Sequence, residues 1–293
     1  MIPPSAPSAI YLSRLVVYPV KSLDGWEVSE VTITPGGTLT HDRRWAICAT
    51  GEPPDSPRRF VNGKTNPRIH RIRCQFSPDG RWITVGLGDD PGAIDPRLRF
   101  ELVPGSSPFT DWLEPVLGLP VYLQENPHQG FPDDLESYGP TLISQASLET
   151  VAQWFPGQTL EQMRGRFRVN GELRAGYPSP QGEILPASPD LPPFWEDQLV
   201  GPPGTIVPFH LGSIAFEGTN PCKRCVVPTR DPHTGTPWPQ FQTQFSHHRQ
   251  ATLPPWAVGD RFRNPYRLSL NTRIPPRESG KVLRVGDLLT FNS

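Results

Sequence analysis

The chain is poor in cysteine and has no excess of charge of either sign. Four cysteines in 293 residues, with no recognisable signal peptide ahead of them, are typical of a reducing compartment and predict a cytoplasmic location. Lys and Arg number 28 against 29 for Asp and Glu, so the formal net charge is −1. A general nucleic-acid binder carries a strong basic excess, so that class is excluded. Any basic function must come from a local cluster.

Long hydrophobic runs are also missing. The longest apolar stretch near the N-terminus, residues 10–20, is interrupted by Ser13, Arg14 and Pro19. It is too short and too polar for a membrane span, and it lacks the basic segment that opens a signal peptide. We therefore predict a strand here and no contact with a membrane.

Proline and glycine are abundant instead, at 39 and 26 residues. Both disfavour helix interiors, and short β-branched segments alternate with turns such as Pro35-Gly36-Gly37, so a mainly β fold with a few short helices is predicted. A polar segment at residues 125–140 divides the chain into an N-terminal β-barrel-like module, 1–125, and a second barrel, 126–293.

Individual elements can be assigned from hydrophobic spacing. Helices are predicted over Phe109–Leu117 and immediately after Ser147, which is placed as an N-cap. Strands are predicted at Trp82–Leu87 and Arg166–Leu173, among others. Residues 236–265 are predicted to form a long surface loop that covers a site, because structureless connections of this length are uncommon.

Two cysteines at C-x-x-C spacing, Cys222 and Cys225, form the most informative segment. Lys223 and Arg224 lie between them, and adjacent cations favour the thiolate, which is the form that binds metals. Two ordinary reduced cysteines at a strand edge remain an open alternative.

Two other uses of this spacing fit poorly. A structural zinc site needs two more ligands, and His247 and His248 are adjacent rather than three to five residues apart. A thioredoxin-like site needs a helix after the first cysteine, whereas residues 226–228 are predicted to continue a strand.

Several cations lie within strand-like segments, and each needs an anionic partner or access to water. They are Lys21 beside Ser22, Arg43, and the pair Arg166 and Arg168, followed by Asn170. Two interpretations are open: each is an ordinary exposed cation, with Asp42 as the partner of Arg43, or all converge on one anionic ligand. Ser144 and Ser147 mark a strand that runs into a helix N-terminus, a place where phosphate can bind, although simple capping explains them equally well.

The ordered set of motifs resembles the MOSC family, and within it the branch of amidoxime-reducing enzymes. The matching segments are Y-P-V-K-S at Tyr18–Ser22, D-R-x-W at Asp42–Trp45, a basic segment at Lys64–Ile69, S-x-x-S-L at Ser144–Leu148, R-F-R-x-N at Arg166–Asn170, P-F-x-E-D at Pro193–Asp197, C-x-R-C at Cys222–Cys225, D-P-x-T-G at Asp231–Gly235 and V-G-D at Val285–Asp287. Val169 stands where the family has proline. The matches span almost the whole chain in the expected order.

The resemblance implies an N-terminal barrel, a MOSC barrel and a molybdenum–molybdopterin cofactor between them. It implies that Cys225 is the catalytic metal ligand and that the pterin and its phosphate are held by a set of polar side chains. Carried over, that set is Lys21, Ser22, Arg43, Arg168 and Asn170. The residue patterns add Ser144, Ser147, Arg166 and Arg224 as further cofactor-binding candidates.

The implied activity is reduction of small N-hydroxylated or N-oxide compounds by a molybdenum-dependent oxidoreductase. The alternative is a cofactor carrier or a persulfide sulfur carrier without redox turnover, as in the C-terminal domain of molybdenum-cofactor sulfurases. Their pyridoxal-phosphate domain has no counterpart in this sequence. Neither a dinucleotide-binding glycine motif nor enough cysteines for an iron–sulfur cluster is present, so a ferredoxin or cytochrome is expected as the electron donor.

Overall fold

The computed structural model describes residues 9–53, 56, 58–90, 92–178, 184–188 and 190–291. Within these ranges the chain forms sixteen strands and four α-helices, which confirms the predicted mainly β class. The strands are β1 Ala9–Val17, β2 Trp26–Glu27, β3 Glu30–Thr32, β4 Trp45–Ala49, β5 Ile72–Phe76, β6 Trp82–Leu87, β7 Ile94–Glu101, β8 Val121–Glu125, β9 Leu142–Ser144, β10 Gly171–Pro178, β11 Ile184–Pro186, β12 Val207–Leu211, β13 Ile214–Lys223, β14 Arg267–Arg273, β15 Val282–Arg284 and β16 Leu288–Thr290. The helices are α1 Pro108–Leu117, α2 Gln145–Gln153, α3 Leu160–Phe167 and α4 Phe241–Ala251.

Seven strands close into a barrel in the order β1, β10, β9, β14, β13, β12 and β16. The ring closes because β1 pairs with β10 on one side and with β16 on the other. Its interior is apolar, with Leu12, Leu15, Phe209, Phe216 and Leu270 almost fully buried. The strand nearest the N-terminus therefore completes a barrel whose other strands lie between residues 142 and 290. The division into 1–125 and 126–293 stays a prediction.

A second core lies within residues 20–123, between the β4–β8 pair and the β5-β6-β7 sheet. Helix α1 packs on it and confirms the helix predicted over Phe109–Leu117. Ser107 and Thr110 cap its N-terminus reciprocally, and Gly118 ends it in a left-handed conformation.

Helices α2, α3 and α4 form a third cluster that the sequence predicted only in part. The rings of Phe155 and Phe241 stack with their centroids 4.2 Å apart, and Phe245 is fully buried beside them. The predicted strand Arg166–Leu173 is wrong in its first five residues, because α3 ends at Phe167 and β10 begins only at Gly171. The predicted loop 236–265 is also wrong, because burial of Phe241 and Phe245 holds α4 within it.

Two smaller predictions are corrected as well. Ser144, rather than Ser147, caps α2: the Ser144 side chain accepts a hydrogen bond from the Ser147 backbone N–H. Strand β13 ends at Lys223, so residues 226–228 do not continue it, and Val227–Thr229 forms a short 3-10 turn with Pro228 in its middle. In the part of the chain that the structure describes, no helix has the length and apolar character to cross a bilayer.

Candidate functional site

A cavity of about 620 Å³ lies where the end of β1, the loop before β4, the connection 129–141, the end of α3 and the end of β13 meet. Eight of the ten candidate residues line it. They are Lys21, Ser22, Arg43, Arg166, Arg168, Asn170, Arg224 and Cys225. Segments far apart in the sequence therefore converge on one open space. That they bind one anionic ligand stays a prediction.

Cys225 is the exposed cysteine of the cavity wall, two residues beyond the end of β13. Its sulfur accepts a hydrogen bond from the Val227 backbone N–H at 3.5 Å. Cys222 is half-buried, and Arg224 donates to its sulfur from Nη1 at 3.2 Å. The two cysteines thus differ in access: Cys225 is open to a ligand, whereas Cys222 is engaged by the protein.

Positive charge dominates the lining. Seven cationic side chains face three carboxylates: Lys21, Arg43, Lys64, Arg166, Arg168, Lys223 and Arg224 against Asp42, Asp133 and Asp134. Lys21 pairs with Asp133 at 2.8 Å, and Arg43 pairs with Asp42. The cavity is therefore suited to an anionic ligand.

Three of the lining arginines form no ion pair within the described ranges. Arg166 donates to the carbonyls of Pro228 and Arg230, Arg168 to that of Leu23, and Arg224 to that of Phe167. Burial lowers the pKa of Arg166 and of Arg168 from the ordinary arginine value. Because these guanidinium groups lack a carboxylate, they retain charge that a bound anion can neutralise.

Asn170 is 2% exposed, and its side chain is used within the protein. Its Nδ2 donates to the Val16 carbonyl at 3.0 Å and to Asp42 Oδ1 at 3.1 Å, while its Oδ1 accepts from Arg43 Nη1 at 3.1 Å. Asn170 therefore holds Arg43 in place. A direct contact between Asn170 and a cofactor stays a prediction.

Ser144 and Ser147 do not reach the cavity. Both are fully buried, their hydroxyl oxygens lie 2.7 Å apart, and the Ser147 hydroxyl donates to Glu196 Oε2 at 2.9 Å. In the structure this segment therefore caps a helix, as the alternative interpretation has it. The helix N-terminus that was predicted to bind phosphate does not lie beside the other candidate residues.

Sequence reasoning missed other lining residues. Asp42 was considered only as a partner of Arg43, and the cations Lys64 and Lys223 were not selected although both fall within recognised motifs. Asp133, which orients Lys21, lies in a segment interpreted as a polar junction. The one sequence feature that could have indicated Asp133 is the high proportion of charged residues among the prolines and glycines of this segment.

The arrangement can be tested against the cofactor that the resemblance implies. A soft thiolate suits molybdenum, and unpaired guanidinium groups suit the anionic dithiolene and phosphate of a pterin. A zinc site fits less well, because no group of three or more His, Cys, Asp or Glu side chains that could hold a metal occurs in the described ranges. The residues present fit the molybdenum cofactor.

Comparison with known proteins identifies the N-terminal part. Residues 9–95 match the family model described as the MOSC N-terminal beta barrel domain, and no curated protein matches the chain. MOSC domains are associated in general with binding of the molybdenum cofactor. Residues 9–95 are therefore similar to the MOSC N-terminal beta barrel domain.

Proposed function

We propose that the chain binds molybdenum–molybdopterin, with Cys225 as the metal ligand, and reduces small N-hydroxylated or N-oxide compounds. One observation carries the proposal. The exposed thiol of Cys225 shares a cavity of about 620 Å³ with seven cationic side chains, most of them from separate segments. The amidoxime-reductase branch of the resemblance supplies the reaction class.

Each residue has a distinct task in this reaction. Cys225 would ligate the metal, while Arg168, Arg43 and Lys21 would hold the anionic groups of the pterin. The bound cofactor would supply the two-electron redox chemistry, and the protein supplies position and charge. Overall, one N–O bond of the substrate breaks, two electrons and two protons are consumed, and water leaves.

The electrons would come from a separate protein. Cys48 and Cys74 are both buried, and burial raises the pKa of each thiol, so neither is suited to hold an exposed redox centre. A small ferredoxin or cytochrome would dock near the open side of the cavity and would release quickly, which requires a small and partly charged contact.

A carrier function is the second candidate, and the exposure of Cys225 favours it. A persulfide carrier must present its sulfur to a partner, and Cys225 is the exposed cysteine of the pair. In that case the chain would hold cofactor or sulfur without turnover.

Turnover distinguishes the two functions. Protein purified from a host that makes the cofactor should reduce benzamidoxime with an artificial low-potential reductant, and should fail to do so with NADH alone. Product formation with NADH and no added donor would reveal an internal redox site that contradicts the proposal. Retention of molybdenum without turnover under either condition would favour the carrier.

A further inference from the structure

Tyr18 directly follows β1 and is 5% exposed. The guanidinium carbon of Arg168 lies 4.2 Å from the centre of its ring, and that of Arg43 lies 5.0 Å from the same centre. Both arginines line the cavity, whereas Tyr18 does not. One aromatic ring therefore contacts two of the cations that face the ligand space.

Bringing two guanidinium groups this close is unfavourable unless something compensates. The backbones of Arg43 and Arg168 are held at φ values of 47° and 51°, a left-handed region that non-glycine residues seldom adopt. Arg43 has a carboxylate partner in Asp42, but Arg168 has none in the described ranges. Burial and the charge of Arg43 lower the pKa of Arg168.

Hydrogen bonds hold Tyr18 at its backbone and at its hydroxyl group. The backbone N–H of Tyr18 donates to Asp42 Oδ1 at 2.8 Å, next to Arg43, and its hydroxyl donates to the Val169 carbonyl at 3.3 Å, next to Arg168. A cation over an aromatic face is stabilised more strongly as the groups lose contact with water, and here the ring is buried while the Arg43 side chain is 21% exposed. Tyr18 therefore links the segment that carries Arg43 with the segment that carries Arg168, and these two segments are distant in the sequence.

We propose that Tyr18 is a positioning residue whose ring holds the guanidinium groups of Arg43 and Arg168 together, so that both can bind one oxyanion of the phosphate type. The proposal rests on the anion site of the proposed function and deepens it by naming the group that assembles that site. The hydroxyl is secondary, because the contact to both cations is made by the ring face.

The charge of the ring face can be varied with almost no change in its size. We would produce the full chain in a host that makes no pterin, with Tyr18→Phe and then mono-, di- and trifluorinated phenylalanines at position 18. Binding of inorganic phosphate is measured by calorimetry. Tyr18→Phe should keep the affinity within about twofold, and stepwise fluorination should lower it by roughly threefold to tenfold overall, because fluorine withdraws the negative charge of the ring face.

A purely structural role for the ring predicts a flat series, and a flat series overturns the proposal. Tyr18→Leu should lower phosphate affinity by about tenfold. Tyr11→Leu, which removes a different buried tyrosine that lies in β1 and does not line the cavity, should not lower it. Equal losses from these two substitutions would also overturn it.

Arg43→Ala and Arg168→Ala separate this inference from the function on which it rests. If both weaken phosphate binding while the fluorinated series is flat, the anion site stands and the role of Tyr18 is wrong. If neither weakens binding, the anion site itself is wrong, and the inference fails with it.

Discussion

Asp42 joins three parts of the site through one carboxylate. Its Oδ1 accepts hydrogen bonds from the Tyr18 backbone and from Asn170, and its Oδ2 pairs with Arg43. The residue is 8% exposed, so water cannot easily replace these partners. Removing the carboxylate would leave a backbone donor unpaired and a largely buried cation without its counter-charge.

We therefore expect Asp42→Ala to lower the free energy of unfolding by on the order of 3 kcal/mol, measured by urea denaturation. Asp133→Ala is the matched control, since Asp133 also pairs with a cavity cation, Lys21, but its side chain is 68% exposed. That change should cost less, about 1 kcal/mol, because Lys21 keeps its hydrogen bond to the Phe131 carbonyl and no buried backbone donor loses its partner. Equal losses from the two substitutions would contradict the role given to Asp42.

Single residues were predictable where their chemistry is unusual for their surroundings. A cation in a strand-like segment and a C-x-x-C pair can both be recognised from the local sequence alone. Cys225, Arg43 and Arg168 were selected in this way. Tyr18 does not stand out from its local sequence, because an aromatic residue after a β-branched strand is ordinarily part of the hydrophobic core. Its contacts depend on two arginines that are 25 and 150 positions away in the sequence.

At the scale of elements, the N-terminus of α2 is built on a buried carboxyl group. Glu196 is 1% exposed, and its Oε2 accepts from the Ser144 backbone at 3.1 Å and from the Ser147 hydroxyl at 2.9 Å, while its Oε1 has no partner within the described ranges. Burial, followed by the charge of neighbouring Asp197, raises the pKa of Glu196 to about 7.

The raised pKa makes stability depend on pH with a definite sign. Between about pH 4.5 and 7 the folded protein keeps a proton on Glu196 that the unfolded chain has lost, so raising the pH favours unfolding. Glu196 should account for a loss on the order of 2 kcal/mol between pH 5 and 8. Urea denaturation of Glu196→Gln across this range should give a flatter profile than the natural protein. Parallel profiles would show that Glu196 titrates as an ordinary carboxyl group.

Elements were predictable where one local signal dominates. Helix α1 has both a capping serine and a terminating glycine, and β6 lies between clear turns. The start of α3 is signalled only by a capping box of Thr159 and Gln162, and its Arg-rich end mimics an alternating strand. Helix α4 lies between prolines and has no side-chain cap, so its helicity comes from packing on Phe155 and Trp154.

At the scale of the whole molecule, β1 ties the two predicted domains together. It pairs with β10 from Ala9 opposite Gly176 to Leu15 opposite Gly171, and β3 pairs with β15 in the same way across the sequence. Strand pairings between segments this distant cannot be predicted from local hydrophobic patterns. Only the family resemblance could anticipate which distant segments meet at the cavity.

A shared barrel predicts one cooperative unfolding transition. Calorimetry should show a single heat-absorption peak, because loss of β1 opens the barrel and exposes its core. Leu12→Ala, a fully buried position of β1, should destabilise the barrel by about 2–5 kcal/mol and move the entire peak. Two peaks, of which only one responds to Leu12→Ala, would show that 1–125 and 126–293 unfold independently.

The molybdenum content of cysteine variants tests the central claim most directly. The natural protein, Cys225→Ala and Cys222→Ala would be produced in a host that makes the cofactor, and molybdenum and pterin would be measured per chain. We predict near-equimolar molybdenum and pterin in the natural protein and in Cys222→Ala, and loss of most molybdenum in Cys225→Ala, because Cys225 is the exposed thiol of the cavity. Equal metal loss from both substitutions, or zinc in place of molybdenum, would contradict the assignment.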